Sequence, residues 1–451
     1  MTRTILRGRI LTFLREPESE RDKSSYRYLE DGFITIENGR IVEVAEVHGS
    51  GAYEAQKFNE EASIIDHRPH LLMPGFIDPH IHYSQMQIVG SYAPSLLEWL
   101  NRYTFVEEQK FADSAHAARI AGAFMDEMIR VGTTTAAAFC TVHKASVDAY
   151  FRAAAARNLL MIGGKVLMDR GAPKPLTDTP QSAYDDTKTL INQWHGKGRA
   201  LYAIAPRFAL TSTPEQLEIA GVLAREHPDC YVETHLNENL AEIAEAARLF
   251  PDSPHYTGIY EKFGLLGPKT LLGHVIHPTD AEIALIAETR SVSVHCPTSN
   301  LFLGSGLFDR ERLAGAGVRV ALATDIGGGT SYSMLQTLDA AYKISQLRGG
   351  RLHPLLGFYM LTLGNARALA LEDRIGTLSV GSDADILVLD AGATPAGGLR
   401  METVSSLAGE LFLLQTIGDD RHVVETYVAG KAMKSAPPAG VVEPKQGGHL
   451  G

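Results

Sequence analysis

A chain of 451 residues, 45% of them hydrophobic, can bury a full core and has room for one large domain with a small one beside it. Its net charge of −11 is spread without an acidic block or a basic cluster, so nothing favours nucleic acid or an anionic membrane as a partner. No run reaches transmembrane length, and arginines interrupt the apolar N-terminal stretch MTRTILRGRILTFLREPE, which points to a cytoplasmic protein. The three cysteines, Cys140, Cys230 and Cys296, lie in apolar segments without CxxC spacing and read as reduced core thiols.

In chain order, residues 1–69 alternate short β-like runs with turns. Within them TILRGRILTF is followed by GFITIENGRIVEVAEV, where Glu37-Asn38-Gly39-Arg40 is the expected hairpin connection. Eight strand-like runs then alternate with helical ones: LLMPGFIDPHIH, GTTTAAAFCTV, LLMIGGKVLMD, ALYAIAPRF, CYVETHL, TLLGHVI, SVSVHCPTS and VRVALATDI. In the first, Leu71, Leu72 and Met73 are read as one buried parallel strand with Phe76 and Ile77. Thr213 with Gln216 and Thr279 with Glu282 have capping-box spacing, and Pro214 suits a first helical position. Leu240, Ile243, Ala247 and Phe250 fall on one expected helical face.

Eight β-then-α units over roughly 300 residues predict an α/β fold, a (β/α)8 TIM barrel spanning residues 70–372, with catalytic residues at the C-terminal strand ends. Residues 373–434 return to β-like runs in GSDADILVLD and VVETYVAGKAM, so both chain ends are expected to build one small β-sandwich. The Pro- and Gly-rich residues 435–451 read as a flexible tail.

Four of the eight runs end in metal-type ligands. His80 and His82, two apart, face the same side of a strand, and His235, His274 and Asp325 each close another apolar run. Neutral nitrogen and anionic oxygen suit Zn2+ or Fe2+ with a position left for water; the competing reading is a closed metal site that only holds the barrel together. Barrel closure brings strand 8 back beside strand 1, so these ligands converge.

The pieces PGFIDPHIH, ETHLNEN, LLGHVIH, HCPTSN and ATDIG resemble the amidohydrolase superfamily in its nucleobase-deaminase branch, and HYSQ, EWLNRYTF, GKVLMDR and APRFALTS are similar to its guanine-acting members. That resemblance covers most of the chain, from residue 70 to the DDRHVVETYVAGK segment. It implies hydrolytic deamination of guanine to xanthine and ammonia by a metal-activated hydroxide, a place in guanine catabolism, and a homodimer. It also implies the β-sandwich built from both ends.

The resemblance further assigns metal binding to His80, His82, His235 and Asp325, with His274 either ligating the metal or orienting water and substrate. Glu238 is to deliver a proton to the ring, and Asp325 to take one from the attacking water; by itself, an HxxE such as His235 with Glu238 in HLNEN more often opens a surface helix. Binuclear relatives use a carboxylated lysine at the end of strand 4, where this chain has Arg207, so one zinc per chain is expected, with iron as the alternative. Lys165 is the nearby lysine that could upset this, and its other reading is a packed or salt-bridged side chain. Gln85, Arg207 and Phe208 are assigned to the base, with Ser84 beside them. Trp99 is either a pocket wall or a buried helix aromatic. Another amino-heterocycle (an oxidised guanine, a pterin or a triazine) is the alternative substrate, and a non-catalytic metal-holding scaffold the alternative from another class.

Overall fold

The computed structural model describes residues 3–47 and 62–435. β1 (Arg3–Phe13) pairs antiparallel with β2 (Tyr26–Glu37), which turns back into β3 (Arg40–Glu46). Asn38 and Gly39 connect the last two with φ of 51° and 79°, the left-handed pair that a two-residue hairpin loop requires. β4 (Ala62–Pro74) lies parallel to β1.

Here one expectation fails. Leu71, Leu72 and Met73 belong to β4 and not to the first barrel strand, so the end-built sheet continues past residue 69 as far as Pro74. The hand-over comes at Gly75, where a Cβ would sit 2.1 Å from Thr134 Oγ1; only glycine lets the chain pass that close to the next strand.

The barrel strands follow as β5 (Phe76–His82), β6 (Thr133–Phe139), β7 (Leu160–Gly164) with its short continuation β8 (Val166–Leu167), β9 (Ala200–Pro206), β10 (Tyr231–Leu236), β11 (Thr270–His274), β12 (Val292–His295) and β13 (Arg319–Leu322). All pair in parallel in the order β13-β12-β11-β10-β9-β7-β6-β5, with β8 on β9. The ring closes just beyond β13, where Asp325 N donates to His80 O at 2.9 Å and His82 N donates to Ile326 O at 2.6 Å. Ile77, Ala137, Ile162, Ala203, Leu271 and Val294 pack in one buried cluster of strand residues, the filled core of such a barrel.

Helices on the outside follow the expected caps. Thr279 and Glu282 close a reciprocal box; at Thr213 only half of the expected box forms, since Thr213 accepts from Gln216 N, with Pro214 in the first turn, but the Gln216 side chain makes no return bond. The apolar stripe expected over Leu240, Ile243, Ala247 and Phe250 is buried only in part: Phe250 and Ile243 pack on the core, but Leu240 is 68% exposed and Ala247 is exposed, whereas Glu242 and Ala246 are buried. Glu242 turns inward because it accepts hydrogen bonds from the backbone N–H groups of Glu238 and Asn239.

β14 (Ile386–Leu389), β15 (Val423–Val428) and β16 (Lys431–Ala432) complete a seven-stranded sheet ordered β16-β15-β14-β4-β1-β2-β3, so both chain ends share one sheet. Between β14 and β15 the chain inserts helix Leu407–Ile417, whose Leu411 and Leu414 bury with Leu335 and Leu338 of helix Met334–Leu347. Residues 436–451, expected as a tail, lie outside the described residues.

Candidate active site

The C-terminal mouth of the barrel gathers the residues that the sequence singled out. His80 and His82 leave β5, His235 sits near the end of β10, His274 ends β11, and Asp325 follows β13. His274 and Asp325 adopt φ of 73° and 53°, a costly region for non-glycine residues that recurs where a site holds side chains in place. Gly273 makes room for this packing, since a Cβ there would meet His80 Cε1 at 2.5 Å.

Ligand atoms of His80, His82, His235 and Asp325 all lie within 4.8 Å of one another, and all four residues are buried. His82 Nε2 and His235 Nε2 are 3.2 Å apart, and Asp325 Oδ1 is 3.3 Å from the Nε2 atoms of both His80 and His82. Two donors each ~2.1 Å from one cation, at an angle of about 100°, have this separation, so the residues fit a single metal ion. Protonation agrees. His235 Nδ1–H donates to Arg207 O at 2.7 Å, which leaves its Nε2 lone pair facing the cluster. Both ring nitrogens of His80 and Nδ1 of His82 are buried without a hydrogen-bond partner.

Burial lowers His82 to about 3 and His235 well below its ordinary value, so both rings are neutral at pH 7. Burial also pushes the Asp325 carboxyl up, but the His80 and His82 imidazoles, each with Nε2 3.3 Å from Oδ1, outweigh it and hold the group well below the usual range.

His274 is fixed by Nδ1–H donating to Asn300 Oδ1 at 2.8 Å. Its Nε2 faces Glu238 Oε2 at 3.4 Å and Asp325 Oδ2 at 3.7 Å. Glu238 is 2% exposed, and its Oε1 accepts from Ser305 Oγ at 2.9 Å. Burial, with the charge of Asp325 adding to it, pushes this carboxyl up to about 8, so Glu238 carries a proton at neutral pH.

Beside this cluster lies a narrow cavity walled by Leu96, Trp99, Leu100, Phe208 and Leu303. Gln85, Arg207, Glu238 and Asp325 supply polar groups to it, so Trp99 is a pocket wall as well as a buried aromatic whose Nε1 donates to Ser91 O. Ser84 is buried with a partnerless hydroxyl, but the cavity lining does not include it. Lys165 is buried in an ion pair with Asp178 and also stays out of the lining, which is its salt-bridged reading.

Four supporting residues were not legible in the sequence. Asp78 accepts from the N–H and hydroxyl of Thr324 and so ties the first barrel strand to the last beneath the ligands. Asn300 and Ser305 orient His274 and Glu238. Glu108 accepts from both Gln85 and Arg207. HCPTSN carries a signal for Asn300, as a short amide following a strand end; Glu108, in VEEQK, carries none.

The amidohydrolase family model matches residues 71–433. The guanine deaminase of Escherichia coli (strain K12) is 45% identical over 408 residues, covering 90% of this chain and 92% of that protein. Among solved structures, E. coli guanine deaminase superposes with a TM-score of 0.92 at 43% identity, covering 95% of this chain and 99% of that one. Guanine deaminase from C. acetobutylicum, solved with guanine bound in its active site, superposes with a TM-score of 0.84 at 30% identity, covering 96% and 100%.

Proposed function

The chain belongs to the amidohydrolase family and deaminates guanine, and we propose that the residues at its barrel mouth share that reaction between them. The observation that carries the proposal is geometric: His80, His82, His235 and Asp325 bring their ligand atoms within 4.8 Å of one another, and a buried Glu238 stands 3.4 Å from His274, which in turn faces Asp325. His80, His82, His235 and Asp325 would hold one divalent ion, zinc in this reading, which would supply Lewis-acid chemistry and ease deprotonation of a water near neutral pH.

Guanine enters with its amino-bearing carbon toward the ligands and its carbonyl edge toward Arg207 and Gln85, while Phe208 and Trp99 flank the ring. Asp325 accepts a proton from the attacking water as the new C–O bond forms. Glu238 gives its proton to the adjacent ring nitrogen. Asp325 then returns its proton to the exocyclic amine, the C–N bond breaks, and ammonia leaves. The hydroxyl left on the ring passes its proton to Glu238, which ends the cycle protonated as it began. Protons balance without an outside donor. His274, held by Asn300, orients the water.

Residence in the cytoplasm and a homodimer complete the reading; among the described residues no helix is long and apolar enough to cross a membrane. Incubating purified protein with guanine, adenine and a triazine, and measuring ammonia, tests the substrate. Guanine should be consumed and adenine essentially not, because arginine N–H groups left unpaired against adenine's amine can discriminate by roughly 10⁴–10⁵. Equal activity on all three would overturn the assignment.

A further inference from the structure

Glu108 is fully buried, comes from a helical segment far along the chain from β9, and does not line the cavity. Its carboxylate nonetheless holds both polar groups that reach toward the base. Arg207 Nη1 donates to Oε1 at 3.0 Å and to Oε2 at 2.9 Å, and Gln85 Nε2 donates to Oε1 at 3.1 Å. Gln85 is pinned from its other end as well, since its Oε1 accepts from Gly327 N at 3.1 Å. The amide is thereby oriented with one N–H left to offer and its carbonyl already engaged. Both Arg207 bonds to Glu108 leave from Nη1, and the guanidinium lines the cavity. Phe105 lies against the guanidinium at 5.8 Å and limits its swing.

We propose that Glu108 is a specificity-determining positioning residue: it locks Arg207 and Gln85 into one recognition edge and offsets the arginine charge, so that the site favours a neutral base over an anionic one. Two consequences follow from the chemistry. The edge presents donors in a fixed order, which a carbonyl-bearing purine satisfies without reorganisation. With Glu108 present the edge has no net charge. Without it, a buried guanidinium would stand uncompensated and would attract the anion of xanthine, which ionises more readily than guanine; the reaction would then be throttled by its own product. This rests on guanine being the substrate.

The test compares metal-loaded parent, E108Q, E108D and the double variant E108Q/R207Q. KM and kcat for guanine are measured, with inhibition by xanthine at pH values spanning its ionisation. For E108Q the KM should rise roughly tenfold while kcat falls less, because the variant loosens binding groups and not the proton carriers. Xanthine inhibition, relative to guanine KM, should tighten about tenfold and strengthen as xanthine ionises. E108D keeps the charge and should restore the parent's xanthine ratio with only part of its KM. The double variant leaves no lone buried charge, so it should fold and lose the xanthine preference. An E108Q enzyme with parental KM and parental xanthine ratio overturns the proposal, as does a double variant that keeps the preference. Failure of the parent to deaminate guanine would instead remove the assigned reaction, and calorimetric binding of xanthine to the same four proteins would then decide the role of Glu108.

Discussion

Replacing Glu238 by glutamine isolates the proton shuttle. Shape is kept, and the amide oxygen still accepts from Ser305 Oγ, which donates to Oε1 at 2.9 Å in the parent. What is lost is a transferable proton, which burial and the charge of Asp325 favour on the parent carboxyl by pushing it up to about 8. General acid–base catalysis is typically worth about 10²–10⁴-fold, and in the proposed cycle Glu238 serves two transfers, so kcat should fall toward the upper end, about 10³–10⁴-fold or ~4–5 kcal/mol. Ultraviolet assay of guanine consumption, with metal content measured on the same preparation, reads this. The pH dependence has a fixed sign: the acid form is the competent one, so parental activity should be full below about 8 and decline as pH rises through it, while E238Q lacks that limb. Activity within a few-fold of the parent, or an unchanged alkaline limb, would refute the role.

Other outcomes are as specific. His82→Ala should lose metal and turnover together while circular dichroism stays close to parental, because the ligand sits at a strand end above an intact core. Arg207→Met should keep the metal but cost about 2–3 kcal/mol in kcat/KM for guanine, the order of a lost hydrogen bond to a charged group; an unchanged value would remove it from the recognition edge. Glu233, buried within β10 with both oxygens unpartnered, is pushed up by burial to about 8. The unfolded chain releases that proton above its ordinary value of 4.5 and the folded chain only above about 8, so stability should fall across that window as pH rises. Glu233→Gln should flatten that slope and gain on the order of a few kcal/mol at pH 8, read from urea midpoints at pH 5 and 8. An identical slope in both proteins would refute the assignment.

The barrel was legible because its eight runs are mostly apolar and β-branched and are bounded by turn residues, the pattern that burial on both faces imposes. The ligands were legible because they end such runs. The same uniformity hid the hand-over at Gly75: Leu71 to Met73 are buried in one sheet and Phe76 to His82 in the other, and no change of polarity separates them. Helix Leu240–Leu249 misled for a different reason. Its inward face is set by Glu242 capping the turn that presents Glu238, a tertiary demand that outweighs the apolar period and leaves Leu240 in solvent. Glu108 was invisible because a buried carboxylate is specified by its partners, Arg207 and Gln85, which reach it only after the barrel closes.

Turnover of guanine in heavy-oxygen water tests the central claim most directly. Hydrolytic attack at the amino-bearing carbon predicts one ammonia released for each xanthine formed, with one heavy oxygen carried by each xanthine at that carbon and none in residual guanine. Metal-depleted protein should form neither product until zinc is restored. Xanthine without the label, ammonia without xanthine, or full activity after verified metal removal would contradict it.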